Sequence, residues 1–334
     1  MMKRKNWKHL MMLFTLTAAV GMVAAGCGNN NTASGSNAGN PANSGGAAGA
    51  EAVTVTLGLL PSIDAIPFII AHEQGFDKEH NVNLDIQTFK SAKDRDVAFQ
   101  AGKVDGISAD LVAISIYNEA GLDVKITSTT TGEFDLLTGN DDIQDVKDLK
   151  GKTVILSKNT STQYTVAMML KQAGLTEADV TVSEVPQIPT RLELLKNQKA
   201  DAAVLPEPFV TMGQTSGLRV LSSTHTAGVN PFVFAFPQTV IDAKPQAIRD
   251  MYAAYDAAVD YMKSHDQSEY IDLIIKEVGY PETLKDQITV PAYEPAVQVD
   301  VKEVEAAFAW ARETGLLTKD ITPEDVISDV QFGK

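Results

Sequence analysis

From Ala52 onward, apolar and polar positions switch repeatedly between a period of two and the longer period of a helix. Residues 52–59 read Ala-Val-Thr-Val-Thr-Leu-Gly-Leu, an alternating, β-branched run that predicts a strand. A turn at Pro61 to Asp64 follows, then a helix over 67–74 that stops at Gly75. Strands are predicted at 82–89, 106–109 and 124–130, with helices at 94–101 and 111–119 between them. The rhythm then restarts: strand 153–156, polar loop 157–162, helix 163–173, strand 180–185, helix 189–197, strand 202–205. A βαβα order implies an α/β fold with crossover connections, not a sandwich or a bundle.

Two stretches echo each other. Phe99 to Asp110 and Leu195 to Glu207 each end a helix, pass through a Lys-x-Asp turn (Lys103-Val-Asp105, Lys199-Ala-Asp201) and enter a short apolar strand. With the strand–loop–helix units at 53–75 and 153–174, this reads as two similar lobes. Beyond Phe232 the pattern changes to a strand at 233–236 and helices at 245–265, 268–278 and 301–314. Ile248, Met251, Tyr252, Tyr255, Ala258 and Met262 recur at helical spacing, a core-facing stripe expected to cover the first lobe.

The first 51 residues are of another kind. Lys3, Arg4, Lys5 and Lys8 precede an apolar run from Leu10 to Ala25, and small residues lead to Cys27, the single cysteine. These are the parts of a secretory signal. Val23-Ala24-Ala25-Gly26-Cys27 resembles the lipobox of bacterial lipoproteins, in which cleavage before the cysteine is followed by attachment of diacylglycerol to its thiol. The alternatives are a secreted protein with a chance cysteine and an uncleaved anchor, for which the run is short. Residues 1–26 are thus expected to be a lipoprotein signal peptide, and 27–51, rich in Gly, Asn, Ser and Ala, a flexible tether. Losing residues 1–26 removes four cations and no acid, moving the net charge from -15 to -19. That balance argues against nucleic acid as a partner.

Within the folded part, Gly58-Leu-Leu-Pro-Ser-Ile-Asp64, Ala71-His-Glu-Gln-Gly-Phe76, Ala101-Gly-Lys-Val-Asp105, Asp148-Leu-Lys-Gly-Lys152 and Leu205-Pro-Glu-Pro-Phe209 occur in that order. Together they resemble the substrate-binding lipoproteins of ABC importers, in the group that binds nitrate, sulfonates, taurine and thiamine pyrimidines. The resemblance implies an α/β, two-lobed type II periplasmic-binding-protein fold with a ligand cleft between the lobes. It implies lobe one at 52–140 and 238–334, lobe two at 141–237, and crossings near 131–140 and 232–237. It further implies a non-enzymatic monomer without cofactor or metal, lipid-anchored outside the cytoplasm through Cys27. Such a protein captures a small-molecule solute and delivers it to ABC permease and ATPase subunits. An enzyme on the same fold, like the thiamine-pyrimidine synthases, and a structural surface lipoprotein are the alternatives. Against the first, the synthases' cysteine-rich motif is missing from this chain.

Ligands of open α/β sheets sit beyond the carboxyl ends of strands, beside helix N-termini. The candidate contacts are therefore Ser62, Ile63, Asp64, Lys90, Ser91 and Asp110 in lobe one and Glu133 at the crossing, with Phe134 beside it. In lobe two they are Asn159, Thr160, Ser161, Thr162, Gln187, Glu207 and Phe209. The hydroxyls and Asp64 and Asp110 have an alternative role as helix caps, and Arg95, like Lys90, is of a type usually solvated. Asp64, Asp110, Glu133 and Glu207 place four acids in these loops, which favours a ligand with hydrogen-bond donors or positive charge, such as an aminopyrimidine, over a simple oxyanion.

Overall fold

The computed structural model describes residues 52–333. The expected signal peptide, Cys27 and tether lie outside the described residues. The chain opens with β1 (Val53–Leu59), α1 (Ile66–Glu73), α2 (Phe76–Glu79), β2 (Val82–Thr88), α3 (Ala92–Gln100), β3 (Gly106–Asp110), α4 (Leu111–Glu119) and β4 (Val124–Thr129). Next come β5 (Asp135–Thr138), β6 (Thr153–Leu156), α5 (Ser161–Gln172), β7 (Thr181–Glu184), α6 (Ile188–Lys196), β8 (Ala202–Leu205), α7 (Phe209–Thr215), β9 (Arg219–Ser223) and α8 (Thr224–Ala227). The last part holds β10 (Phe232–Pro237), α9 (Gln238–Ala243), α10 (Pro245–Ser264), α11 (Ile271–Ile274), α12 (Val301–Glu313) and α13 (Pro323–Val326).

The strands form two five-stranded sheets with the same plan. One runs β2-β1-β3-β10-β4 and the other β7-β6-β8-β5-β9. In each, the strand at the second position pairs in parallel with both neighbours, and the fourth position is held by a strand antiparallel to both sides. The repeat seen in the sequence is therefore a repeat of architecture. The Lys-x-Asp turns share a task as well: Asp105 accepts the Thr56 N–H at 2.9 Å and Asp201 the Thr153 N–H at 2.8 Å, each tying a turn to a neighbouring strand.

The two segments expected to be crossings are largely ladder strands. β5 belongs to the second sheet and β10 to the first, so the second sheet begins at Asp135, ahead of 141, and β10 at 232–237 returns to the first. Pairing on both sides satisfies backbone groups that are otherwise buried there. The chain passes between sheets only at 130–134 and 228–231. At the first passage Gly132 lies against the Phe232 ring, where a Cβ would come within 2.4 Å of Cδ1.

Each sheet carries apolar packing on both faces. On the first, Phe68 of α1 stacks on Phe234 and Tyr255, in a cluster that includes the predicted stripe of α10. The opposite face joins α4 to α12 through Tyr117, Phe308 and Trp310. The second sheet is covered by α5 on one face and by α6 and α7 on the other. Tyr164 of α5 crosses over and meets Trp310 edge-on at 5.6 Å between ring centroids. No described helix is long and apolar enough to cross a membrane.

Candidate functional site

A cleft lies where the two sheets face each other, at the carboxyl ends of β1, β3, β6 and β8. It is lined from the first sheet by Leu60, Ser62, Ile63, Asp64, Ala92, Arg95, Ser108, Ala109 and Asp110, and from the second by Ser157, Thr160, Thr162, Ile188, Arg191 and Pro206. Gly132, Glu133, Phe134 and Phe232 close it at the passage between sheets. The cleft is narrow, with about 50 Å³ open to water-sized groups.

Of the residues singled out in sequence, Ser62, Ile63, Asp64, Asp110, Glu133, Thr160 and Thr162 line this cleft. Ser62 donates its hydroxyl to Asp64. Asp110 caps α4, accepting the Ala113 N–H at 2.8 Å. Capping and lining are thus one role at this position, not alternatives. Burial pushes both carboxyls up from the ordinary range, and Arg95 draws them back down in part. Thr160 caps α5, accepting the Thr162 N–H at 3.2 Å, and the Thr160 and Thr162 hydroxyls both donate to the Ser157 carbonyl, at 2.8 and 3.0 Å, so they are engaged within their own loop.

The other candidates lie elsewhere. Lys90 and Asn159 are exposed. Ser91 is buried as the cap of α3. Ser161 is buried at the start of α5 and lowers Asp110 slightly. Gln187 bridges the lobes, donating to Asp94 at 3.2 Å, and Lys93 pairs with Glu184 beside it. Glu207 turns onto its own helix, accepting from Thr211 N–H and Oγ1 at 3.1 and 2.9 Å; burial raises it against those bonds. Phe209 is core.

Sequence reasoning missed the two arginines. Arg95 is only 2% exposed, where solvation was expected. It donates from Nε and Nη2 to Asp96 Oδ1 at 2.9 and 2.7 Å, and from Nη1 to the Ser108 carbonyl. Burial works against its charge, but Asp96, Tyr117 and Asp110 outweigh it and hold the guanidinium above its usual range. Arg191 is equally buried. It donates to the carbonyls of Val185, Val204 and Pro186 at 2.8, 3.0 and 3.2 Å, and burial alone pulls it down to about 10. Both arginines sit at the fourth position of their helix and reach a carbonyl thirteen residues on, at an offset of 96 between lobes. The offset between the Lys-x-Asp turns is the same, and is the signal that links the pair. Ser108 Oγ, in the same wall, is buried and completes no hydrogen bond, though it lies near enough to Asp64 to lower it slightly.

The family model described as NMT1/THI5 like matches residues 62–269, which contain most of this cleft. The chain belongs to the NMT1/THI5-like family. Relatives include a protein of Brachyspira hyodysenteriae named as an ABC transporter periplasmic binding protein, 23% identical over 208 residues, 56% of this chain and 59% of that one. The riboflavin-binding protein RibY of Chloroflexus aurantiacus is 22% identical over 211 residues, 60% of each. The chain thus spans about 60% of the length of these curated relatives.

Among solved structures, this member of the family resembles the alkanesulfonate-binding protein SsuA of Xanthomonas axonopodis bound to MOPS. The TM-score is 0.72 at 16% identity, covering 84% of this chain and 99% of that one. The fold is therefore the type II periplasmic-binding-protein fold. The desulfurization enzyme DSZB shares it at a TM-score of 0.59 and 14% identity, over 84% of this chain and 98% of that one. The fold hosts enzymes as well as binding proteins, so function has to be argued from the site. Among the described residues no group of three or more His, Cys, Asp or Glu side chains is placed to hold a metal ion.

Proposed function

We propose that this protein is the solute receptor of an ABC importer, a non-enzymatic monomer that captures a small organic solute in the cleft and presents it to a membrane permease. The solute is of the nitrate, sulfonate, taurine or thiamine-pyrimidine kind. The observation that carries the reading is a cleft built from equivalent edges of two sheets that the chain connects only at 130–134 and 228–231. A ligand touching both walls favours the closed arrangement by its differential affinity for it. Names borne by relatives and structural neighbours point the same way. Lipid attachment at Cys27, followed by the tether, would hold the receptor at the extracytoplasmic face of the membrane beside its permease and ATPase.

A thermal-shift screen of small metabolites, with scattering on each hit, tests the receptor. The true solute should lower the radius of gyration and stabilise the fold by about 2.7 kcal/mol at a hundredfold excess over Kd. A particle indifferent to a broad library would overturn the reading. Fatty-acid labelling of wild type but not of Cys27→Ser tests the anchor, and unlabelled, freely soluble wild type would remove it.

A further inference from the structure

The two walls of the cleft are the same scaffold with opposite charge. At the shared offset of 96, Arg95 corresponds to Arg191, but Asp96 corresponds to Leu192 and Asp110 to Pro206. In the first lobe, Asp64, Asp96 and Asp110 surround one guanidinium, and Asp96 occupies both Nε and Nη2 of it. In the second lobe, the guanidinium is oriented by three backbone carbonyls, and no ion pair neutralises it among the described residues. A buried cation without a counter-ion is costly unless something in its site supplies the charge. Two buried carboxyls facing one committed arginine have the converse need, for donors. Ser108 Oγ adds an unpartnered polar atom to that same wall. Both walls line one narrow cleft, so a single small molecule can meet both.

Resting on the receptor reading above, we infer that the cleft takes a small zwitterion in one orientation. Its cationic, hydrogen-bond-donating end lies against Asp64 and Asp110 of the first lobe, and its anionic end against Arg191 of the second. Arg95 is committed to Asp96 and serves as a positioning residue for the acids. The sequence-based expectation of a donor-bearing or cationic ligand is thereby kept for one end of the molecule and reversed for the other.

Two matched sets test this: β-alanine with propionate and propylamine, and 2-aminoethanesulfonate with ethanesulfonate and ethylamine, each titrated calorimetrically. The zwitterion of at least one set should bind about tenfold or more tightly than either singly charged partner. Asp64→Asn and Asp110→Asn should erase the advantage of the zwitterion over the plain anion. Arg191→Gln should erase its advantage over the plain amine, and Arg191→Lys should restore part of it. The melting temperature of each unliganded variant separates lost recognition from lost folding, and Arg191→Lys carries the test if Arg191→Gln does not fold. A plain anion or amine that binds as tightly as its zwitterion, or binding by neither zwitterion, would overturn the inference. A library compound without paired charges that compacts the protein would also overturn it, while leaving the receptor reading intact.

Discussion

The two lobes share a strand order and a pair of equivalent arginines, yet they are covered very differently. The first sheet is packed on one face by α1 and α10 and on the other by α4 and α12, with Phe68, Phe234, Phe236, Tyr117 and Phe308 almost wholly enclosed. The second sheet's own clusters are aliphatic apart from Phe209, while Tyr164 of α5 packs toward the first lobe, and its outer strands β7 and β9 are partly exposed. One plan thus carries two different coverings. On the receptor reading, the better-covered lobe is expected to serve as the platform and the lighter one to be displaced when the cleft opens. Native-state hydrogen exchange should accordingly run faster in β6 to β9 than in β1, β3 and β10.

The largest expected effect comes from attacking the platform. Phe308→Ala should destabilise by about 3–5 kcal/mol, measured by denaturant melts, because it leaves a cavity in a fully packed cluster. A loss below about 1 kcal/mol would mean that α12 is not part of the platform.

Next is the asymmetry at the arginines. Asp96→Asn removes the counter-ion from buried Arg95 and should cost about 3 kcal/mol, the scale of breaking a buried pair. Leu192→Asn, at the equivalent position of the second lobe, should cost its lost packing and the burial of its amide, and leave the pH dependence of stability unchanged. Similar pH profiles in the two variants would erase the distinction between the arginines.

A third effect sits where the lobes join. Burial, with Glu133 and Glu207 nearby, pushes Asp135 up from 3.8 to about 7. The folded state therefore holds a proton that the unfolded state releases. The resulting penalty is absent below pH 3.8, grows through the window from 3.8 to about 7, and is full above it. Asp135→Asn should be more stable than wild type by about 1–3 kcal/mol at pH 8, with the gain vanishing near pH 4. A gain independent of pH would assign the effect to packing.

The smallest effect concerns the contacts across the cleft mouth. Gln187→Ala and Lys93→Ala should each change global stability by less than about 1 kcal/mol. Both should nonetheless enlarge the unliganded particle in scattering, since Gln187–Asp94 and Lys93–Glu184 join the lobes. The Lys93 effect should fade at high salt. Unchanged scattering would mean that these pairs merely meet when the lobes are already closed.

Much of this was legible in the chain. The βαβα alternation and the paired Lys-x-Asp turns gave the duplicated architecture, because strand and helix periods and turn chemistry are local properties. β5 and β9 were not recognised. They are four and five residues long, and their strand character comes from ladder partners distant in sequence, Ala202 to Leu205 for β5. The candidate loops at Ser62, Asp64, Asp110 and Thr160 line one cleft, since these follow strand ends. Arg95 and Arg191 were missed because arginine is a residue type usually solvated, and the Ser108 and Val204 carbonyls that each reaches thirteen residues on are brought to it only by the fold. For Glu207 the sequence leaves open a cleft contact and a carboxylate that braces the hinge, because nothing local reveals that it folds back onto Thr211.

The ends of the second lobe meet. Phe134 N–H donates to Thr224 Oγ1 at 3.1 Å, and Thr224 N–H to the Phe134 carbonyl at 2.9 Å. Ninety residues of chain depart from and return to a single doubly bonded point. A stretch whose two termini touch can be lifted out of one polypeptide and spliced into another without stretching the host. In heritable terms, the coding segment between these two residues is a transferable cassette: exchanging it between paralogous genes would replace one wall of the cleft, Arg191 included, and leave the other untouched. On the receptor reading, new solute preferences would then arise by recombination in one step, with no need for the two walls to mutate in concert.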